Sequence, residues 1–356
     1  MRKLASIQKI EAINPIEGRD RIVEATVLGW RVLIRKDEYQ VGDLTIFCEI
    51  DSVLPERQEF EFLRDKKFRV KTFKLSNCIS QGICFSLSLL PDKDWQVGED
   101  VTEVLGVTKY EPDENNREPQ VEKEHEKKWY APLLRFRWFR RLVLPKKQWG
   151  GFPSFISKTD ETRLMNMPFL LKDKSEWVVS EKIDGSSITI FLKRERGRFG
   201  KVKFDYGVCS RNLRLNLSDV TPFTVVAEKY NTKQVLMDSI EDYDFIAIQG
   251  EQISAKTQAN KYKVTEPDMY VFNVITPEGR MGSLEAKEWC EARGLKFVPI
   301  VSESYVLPDT MQEVIDYSHG KSKLYDTLRE GLVFRSMDGK RSFKVVDPKW
   351  LLKHGL

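Results

Sequence analysis

Four short segments carry side chains whose types suit phosphoryl-transfer chemistry. In chain order they are Lys182-Ile183-Asp184-Gly185, Gly250-Glu251, Glu330-Gly331-Leu332-Val333 and Ser342-Phe343-Lys344. A lysine is a nucleophile once it loses its proton, and carboxylate oxygens are the ligands that Mg²⁺ and Mn²⁺ prefer. Each segment alone is a weak signal, since a lysine in such a place is usually a solvated strand end. Four of them in this order, each at a strand end or turn, indicate a reactive site.

The surrounding sequence predicts an antiparallel α+β domain that would position these segments. "EWVVSEKIDGSSITIFLKRE" reads as strand, loop and strand, while "DYDFIAIQGE" and "DMYVFNVIT" read as buried strands. "SLEAKEWCEARG" is typical of a helix ended by glycine, and "EGLVFRSMDGKRSFKVV" of a hairpin with an Asp-Gly turn. We assign residues 151–356 to this domain.

The N-terminal part, residues 1–110, reads as a separate small β domain. "RIVEATVLGWRVLIRK" and "YQVGDLTIFCEID" alternate like strands around glycine turns, and further short strands follow. Five or so short strands in this length fit a small closed barrel of the OB type. We therefore predict an OB-like domain ahead of the α+β domain.

Residues 111–150 are predicted to form a linker with two parts of different composition. The first part is polar and charged, and the second, "APLLRFRWFRRLVLPKKQWGG", combines aromatic and basic side chains without an acid. That mixture fits either base stacking with phosphate pairing or an amphipathic helix docked between domains.

Composition sets the broad class of the protein. The chain has 356 residues, 58 basic and 54 acidic, and a net charge of +4, which permits a nucleic-acid partner without requiring one. Its five cysteines lack CxxC spacing and its three histidines are scattered, so neither a disulfide framework nor a zinc site is expected. Without an apolar signal core or membrane-length run, we predict a soluble, intracellular protein.

Residues 150 to 350 resemble the covalent nucleotidyltransferases, the superfamily of ATP-dependent ligases and capping enzymes. "FPSFISKTDETRLMNMP", Ser210-Arg211-Asn212 and "QGEQISAKTQANKYKV" are similar to RNA ligases with an N-terminal OB domain. The resemblance implies an α+β nucleotidyltransferase fold, ATP-grasp-like, after the barrel. It also implies ATP as AMP donor, Mg²⁺ or Mn²⁺, and template-directed RNA repair that joins 3′-OH and 5′-phosphate ends at nicks, with no membrane and no obligate protein partner.

The same resemblance assigns roles to individual residues. Lys182 would form a lysyl-adenylate; its ordinary pKa of about 10.4 means that a nearby cation must favour the amine. The implied catalytic residues are Lys182, Asp184, Glu251, Glu330 and Lys344, and the implied metal-binding residues are Asp184, Glu251 and Glu330. The residues expected to bind ATP are Glu181, Lys182, Gly185, Arg211, Glu251, Phe272, Glu330 and Lys344.

Several of these assignments leave alternatives open. Gly185 would supply a positive φ or let the nucleotide approach closely. Either Phe272 or Tyr270 would stack on adenine, or both are ordinary core aromatics. Possible RNA contacts are Arg163, Lys256 and Arg341, with an ordinary surface arginine as the alternative for Arg163.

The chain also departs from the family pattern. Relatives often have two lysines one residue apart in the last motif, whereas this chain has Ser342 at the first position, so Arg341 or Lys340 could substitute. Only twelve residues follow Lys344, too few for the second barrel of capping enzymes and most DNA ligases. The competing interpretations are a non-catalytic OB-type nucleic-acid-binding protein, a DNA ligase or a capping-type nucleotidyltransferase.

Overall fold

The computed structural model describes residues 3–110, 150–196, 201–241 and 243–356. The predicted linker, 111–150, lies almost wholly outside these described residues. The N-terminal strands are β1 (Ala5–Ile16), β2 (Arg19–Val27), β3 (Trp30–Arg35), β4 (Leu44–Cys48), β5 (Ser52–Val53), β6 (Phe73–Leu75), β7 (Cys78–Ser80), β8 (Ile83–Phe85) and β9 (Thr108–Lys109). The C-terminal strands are β10 (Glu176–Lys182), β11 (Ser186–Arg196), β12 (Val202–Cys209), β13 (Phe245–Ile253), β14 (Asp268–Thr276), β15 (Gly279–Arg280), β16 (Ile300–Val306), β17 (Gly331–Ser336) and β18 (Ser342–Val346).

Helices are short and connect or cover these sheets. The α-helices are α1 (Thr102–Leu105), α2 (Pro222–Lys229), α3 (Thr232–Met237), α4 (Ser283–Glu291), α5 (Met311–Ser318) and α6 (Pro348–His354). The 3₁₀ helices are Gln58–Lys66, Leu87–Leu89, Leu164–Asn166, Pro168–Lys172 and Gln258–Asn260.

The N-terminal sheet curls because one long strand serves two partners. Its strand order is β3-β2-β1-β4-β8, all antiparallel. Residues 5–9 of β1 pair with β4, whereas residues 10–16 pair with β2 through two register shifts. Such bulges bend and twist a strand, so the sheet wraps around its apolar side chains. Trp30 and Phe47 are among the fully buried side chains inside it.

The C-terminal half contains two antiparallel sheets that meet at the candidate site. One has the order β16-β10-β17-β18 and the other β12-β11-β13-β14-β15. The chain passes from the first sheet to the second between β10 and β11, so the predicted lysine segment lies at the junction. The predicted strand, helix and hairpin segments of this half all form.

The two halves share one apolar cluster. Trp350 and Leu351 of α6, together with Val346 and Met165, pack into the core formed mainly by the N-terminal sheet. The backbone N–H of Thr72 also donates to the carbonyl oxygen of Leu356 at 3.1 Å. The sequence alone did not predict that the C-terminal helix belongs to the N-terminal core.

Gly331, at the start of β17, is a position where a side chain has no space. A Cβ there would lie 2.1 Å from the carbonyl oxygen of Val345 on β18. We expect Gly331→Ala to lower the free energy of unfolding by about 2–4 kcal/mol, because the β17–β18 pair would have to separate. Urea denaturation would measure this, with Gly151→Ala as the control because nothing lies within 4 Å of a Cβ there. Equal stability of the two variants would contradict the prediction.

Candidate active site

Strand register places Lys182 beside Glu330. Lys182, the last residue of β10, pairs with Gly331, the first residue of β17, so the residue before Gly331 is its neighbour. Lys182 Nζ donates to Glu330 Oε2 at 2.6 Å, and both side chains are largely buried. Residues 148 positions apart in the chain therefore meet as one ion pair.

This environment keeps the lysine protonated in the structure as it stands. Burial by itself favours the neutral amine, but the charges of Glu330 and Glu251 outweigh it, so the pKa of Lys182 lies above its usual value. For the acid Glu330, burial acts in the other direction and raises the pKa, although the positive charge of Lys182 opposes this shift. The amine becomes nucleophilic only when positive charge reaches these carboxylates.

Glu251 and Asp184 complete a group of three carboxylates. Burial raises the pKa of Glu251 to about 8; the charge of Lys182 opposes the shift, and those of Glu330 and Asp184 add to it. Glu251 Oε1 accepts the backbone N–H of Gly185 at 3.1 Å. Asp184 Oδ2 accepts from Lys261 Nζ at 2.6 Å. Three buried acids near one lysine form an environment that attracts a cation.

Gly185 lines the cavity beside Lys182 but lacks the first of its two predicted features. Its φ is not positive, and a Cβ there would lie 2.4 Å from the carbonyl oxygen of Gln252 on β13. The prediction of a positive φ is therefore wrong, because the glycine instead lets the loop after β10 pack directly against β13.

The three carboxylates do not form a preformed metal cage. In the part of the chain that the structure describes, no three His, Cys, Asp or Glu side chains converge on one metal-sized position. Glu330 is engaged by Lys182 and Asp184 by Lys261. The donor set suits Mg²⁺ or Mn²⁺ in its oxygen chemistry, and these cations commonly keep several water ligands.

A cavity of about 210 Å³ opens above Lys182 and is lined by cations. Lys344 and Arg211 both line it, and both pair with Asp160, at 3.4 Å and 3.6 Å. The pKa of Asp160 lies below its usual value. Burial alone would raise this pKa, but the positive charges of Lys344, Lys109 and Arg211 together lower it by more than burial raises it. Lys344 and Arg211, for which phosphate or ribose contacts were predicted, thus lie together at this cavity.

Arg335 is a further cation in the cavity, which the sequence analysis missed. It is 3% exposed, and burial lowers its pKa to about 10. Arg335 lies two residues beyond Val333 on β17, so the two side chains share the face that lines the cavity. Its Nη2 is 3.4 Å from Oε1 of Glu161, which also bonds Ser342.

The structure separates Phe272 from Tyr270. Phe272 lines the cavity and is partly exposed, whereas Tyr270 is 7% exposed and bonds Tyr325. Sequence periodicity places both on one strand face, but β14 is irregular here, since Val271 pairs with Gly250 and Asn273 with Gln249. Phe272 is the unpaired residue of that bulge, and its side chain turns to the cavity.

Glu181, the residue before the lysine, lines the cavity and has one carboxylate oxygen without a hydrogen-bond donor in the described part of the chain. It is 2% exposed, and its Oε2 accepts the backbone N–H of Lys323 at 2.8 Å. Among the described residues, none hydrogen-bonds its Oε1. A buried carboxylate oxygen without a donor is rare in folded proteins and indicates a site for one.

The three possible RNA contacts lie away from the cavity. Arg163 is 5% exposed and pairs with Asp51 of the N-terminal half at 3.4 Å. Arg341 bonds Asp173, and its guanidinium lies 5.1 Å from the ring centroid of Trp177. Lys256 is exposed. Neither Arg341 nor Lys340 lines the cavity.

Two further residues that the sequence analysis missed hold the loop after Lys182. The hydroxyl of Tyr262 accepts the backbone N–H of Asp184 at 2.8 Å. Lys261 pairs with the Asp184 side chain and lies 4.4 Å from the ring centroid of Trp350 in α6. Nothing local in "NKYKV" distinguishes these two residues, because both contacts span long stretches of chain.

The other sequence predictions concern disulfides and membranes. All five cysteines are free, as predicted. Among the described residues, no helix combines the length and apolarity that crossing a membrane requires.

Comparison with known proteins gives consistent matches for both halves. A family model described as RNA ligase matches residues 175–346, and one described as an OB-fold domain matches residues 4–87. Naegleria gruberi RNA ligase with PPi is 29% identical, with a TM-score of 0.81 over 100% of this chain and 99% of that chain. Variants of that ligase with ATP and Mn and with AMP and Mn are each 28% identical, both with TM-scores of 0.81. The match to the variant with ATP and Mn covers 100% of this chain and 100% of that chain, and the match to the variant with AMP and Mn covers 99% of each. No curated protein sequence matches significantly.

Proposed function

Since the chain belongs to the RNA ligase family, with an OB-fold domain ahead of its ligase domain, we propose that it seals RNA breaks through an adenylate on Lys182. The predicted family, fold class and ATP-dependent ligase activity agree with these comparisons. The observation that carries the proposal is the position of Lys182 Nζ among three buried carboxylates, at the base of a cavity lined by cations.

The first step uses ATP as substrate. Lys182 Nζ attacks the α-phosphorus, the bond to the bridging oxygen breaks, and pyrophosphate leaves while AMP stays on the lysine. Lys344, Arg211 and Arg335 supply positive charge to the phosphates in this displacement. Phe272 offers a ring face to the adenine.

A divalent ion fits the acidic group around the lysine. Asp184, Glu251 and Glu330 would hold Mg²⁺ or Mn²⁺, directly or through its water ligands, and the relatives solved with ATP or AMP contain Mn. When bound, the ion supplies the positive charge that lowers the pKa of Lys182 and stabilises the transferring phosphate.

The later steps act on RNA ends. The AMP moves from Lys182 to the oxygen of a 5′-phosphate, and a 3′-OH then attacks that phosphate and releases AMP. We propose a nicked duplex as the substrate, with RNA on the 3′-OH side. The proposed domain boundaries remain 1–110, 111–150 and 151–356.

One labelling experiment tests this function. Wild-type protein incubated with α-labelled ATP and Mn²⁺ should gain one AMP, stable to SDS, and GTP should not replace ATP. Nicked duplexes with RNA or DNA on the 3′-OH side should be sealed only when that side is RNA. Failure to gain AMP would favour a non-catalytic nucleic-acid-binding protein, labelling by GTP would favour a capping-type enzyme, and equal sealing of all-DNA nicks would favour a DNA ligase.

Glu181 is expected to select adenine. Its unused Oε1 would accept the 6-amino group of adenine, whereas guanine presents an oxygen there, which a carboxylate repels. Glu181→Met should raise the ATP concentration for half-maximal labelling about 10- to 100-fold, the value of one hydrogen bond to a charged group. Labelling of the variant and of wild type across a concentration series of ATP and of GTP should show a smaller preference for ATP over GTP in the variant. An unchanged preference would contradict the role of Glu181 in selecting adenine.

A further inference from the structure

The OB-fold domain exposes two phenylalanines on one surface. Phe62 is 63% exposed and Phe73 is 46% exposed. We name the surface formed by Phe62, Lys66, Lys71 and Phe73, which line one groove, the Phe62–Phe73 patch. Exposed apolar rings grouped with polar residues often mark an interaction site.

The patch carries positive charge without acidic partners. Residues 66–74, "KKFRVKTFK", contain five cations and no acid. Among the described residues, Lys66 and Lys71 form no ion pair; Lys66 Nζ lies 5.2 Å from the ring centroid of Phe73. Burial, Arg69 and Lys66 lower the pKa of neighbouring Lys71. An anion bound here would relieve this repulsion.

A groove gives this surface its shape. It has a volume of about 660 Å³, and Phe62, Phe73 and Phe85 line it together with Lys66 and Lys71. Two acids, Glu38 and Glu59, also line it. Aromatic faces and lysines along one groove are the combination by which proteins hold single strands, with bases on the rings and phosphates on the cations.

Contacts connect the patch to the active site. Arg69, within the same nine residues, pairs with Asp51 at 2.7 Å, and Asp51 pairs with Arg163 at 3.4 Å. Arg163 in turn forms a parallel bridge with Lys344, which lines the ATP cavity. These contacts join the segment that carries the patch to the domain that contains Lys182.

We propose that the Phe62–Phe73 patch binds an RNA strand of the substrate, with bases stacked on Phe62 and Phe73 and phosphates on Lys66 and Lys71. The inference rests on the proposed RNA ligase function and adds a strand-binding site outside the adenylylation cavity.

Aromatic variants test the stacking. Combined Phe62→Ala and Phe73→Ala substitutions should weaken binding of a fluorescent single-stranded 5′-phosphate RNA about 10- to 100-fold by anisotropy. Phe169→Ala is the matched control, because Phe169 is 65% exposed in the other domain, and it should bind as wild type does. Equal loss in both, or no loss in the double variant, would overturn the proposal.

Lysine variants test the phosphate contacts. Combined Lys66→Gln and Lys71→Gln substitutions should reduce the slope of log binding constant against log salt by about 1.4, or 0.7 for each contact with a single strand. Lys233→Gln, an exposed lysine on α3, should leave the slope unchanged. An unchanged slope in the double variant would show that the patch binds something other than RNA, such as a protein.

Labelling separates this proposal from the function on which it rests. The patch variants should gain AMP at the wild-type rate, since no patch residue lines the ATP cavity, and should need about 10-fold more RNA for half-maximal sealing. Failure of the wild-type protein to gain AMP overturns the ligase function. Normal labelling and sealing by the variants overturns only the patch.

Discussion

Lys182→Ala is expected to eliminate AMP transfer to the protein and to reduce sealing of 5′-phosphate RNA by more than about 10³-fold. In the described residues, Lys182 is the lysine whose Nζ lies at the base of the cavity against Glu330 and within the field of Glu251. Lys182→Arg should fail equally, because a guanidinium stays protonated and cannot attack. Intact-mass measurement after incubation with ATP and Mn²⁺ would detect the missing AMP.

A substrate that already carries AMP distinguishes loss of the nucleophile from loss of the fold. RNA with a 5′-adenylate needs no lysyl intermediate, so Lys182→Ala should still join it to a 3′-OH. Lys340→Ala is the matched control, since that side chain is 82% exposed and lies outside the cavity; it should be labelled and should seal normally. AMP gained by Lys182→Ala would show that another residue is the nucleophile.

Sequence reasoning found the groups that lie at strand ends. Lys182 ends β10, Glu251 follows the apolar run of β13, and Glu330 directly precedes β17. Strand pairing then brings them together. A short pattern predicts such residues because the local backbone already decides where they point. The strongly periodic strands, the helix Ser283–Glu291 and the hairpin β17–β18 were predicted for the same reason.

Groups defined by distant partners were not predictable in this way. Arg335 reads as one more strand residue until Glu161 and Ser180 are seen beside it. Lys261 reads as a loop lysine until its contacts with Asp184 and Trp350 are known. These interactions depend on how sheets and domains pack, which the local sequence does not encode.

A one-residue irregularity limits even a good periodic prediction. Phe272 and Tyr270 share a face in a regular strand, and only the bulge opposite Gln249 and Gly250 separates them. Likewise Arg163, proposed as an RNA contact, is buried against Asp51 because the N-terminal domain covers it. The residues next to Arg163 in the sequence do not indicate that the N-terminal domain buries it.

Glu251→Gln is expected to stabilise the metal-free protein while it reduces AMP transfer by at least about 10²-fold. Burial, with the charges of Glu330 and Asp184, raises the pKa of Glu251 to about 8 against the attraction of Lys182. The folded state therefore binds the proton more tightly than the unfolded state, so wild-type stability falls as pH rises from about 4.5 to about 8. The neutral amide lacks this cost, which we place at about 1–3 kcal/mol.

Thermal unfolding with and without metal checks both parts of this prediction. In EDTA the variant and wild type should unfold at similar temperatures near pH 5, and the variant should exceed wild type increasingly up to pH 8. Mn²⁺ should then raise the unfolding temperature of wild type more than that of the variant, because the ion binds the folded carboxylates. A variant less stable than wild type at pH 8 in EDTA would mean that pairing of Glu251 with Lys182 outweighs repulsion among the three acids. The opposite result would show that this site is held ready for a cation at the expense of stability, as expected where function requires like charges close together.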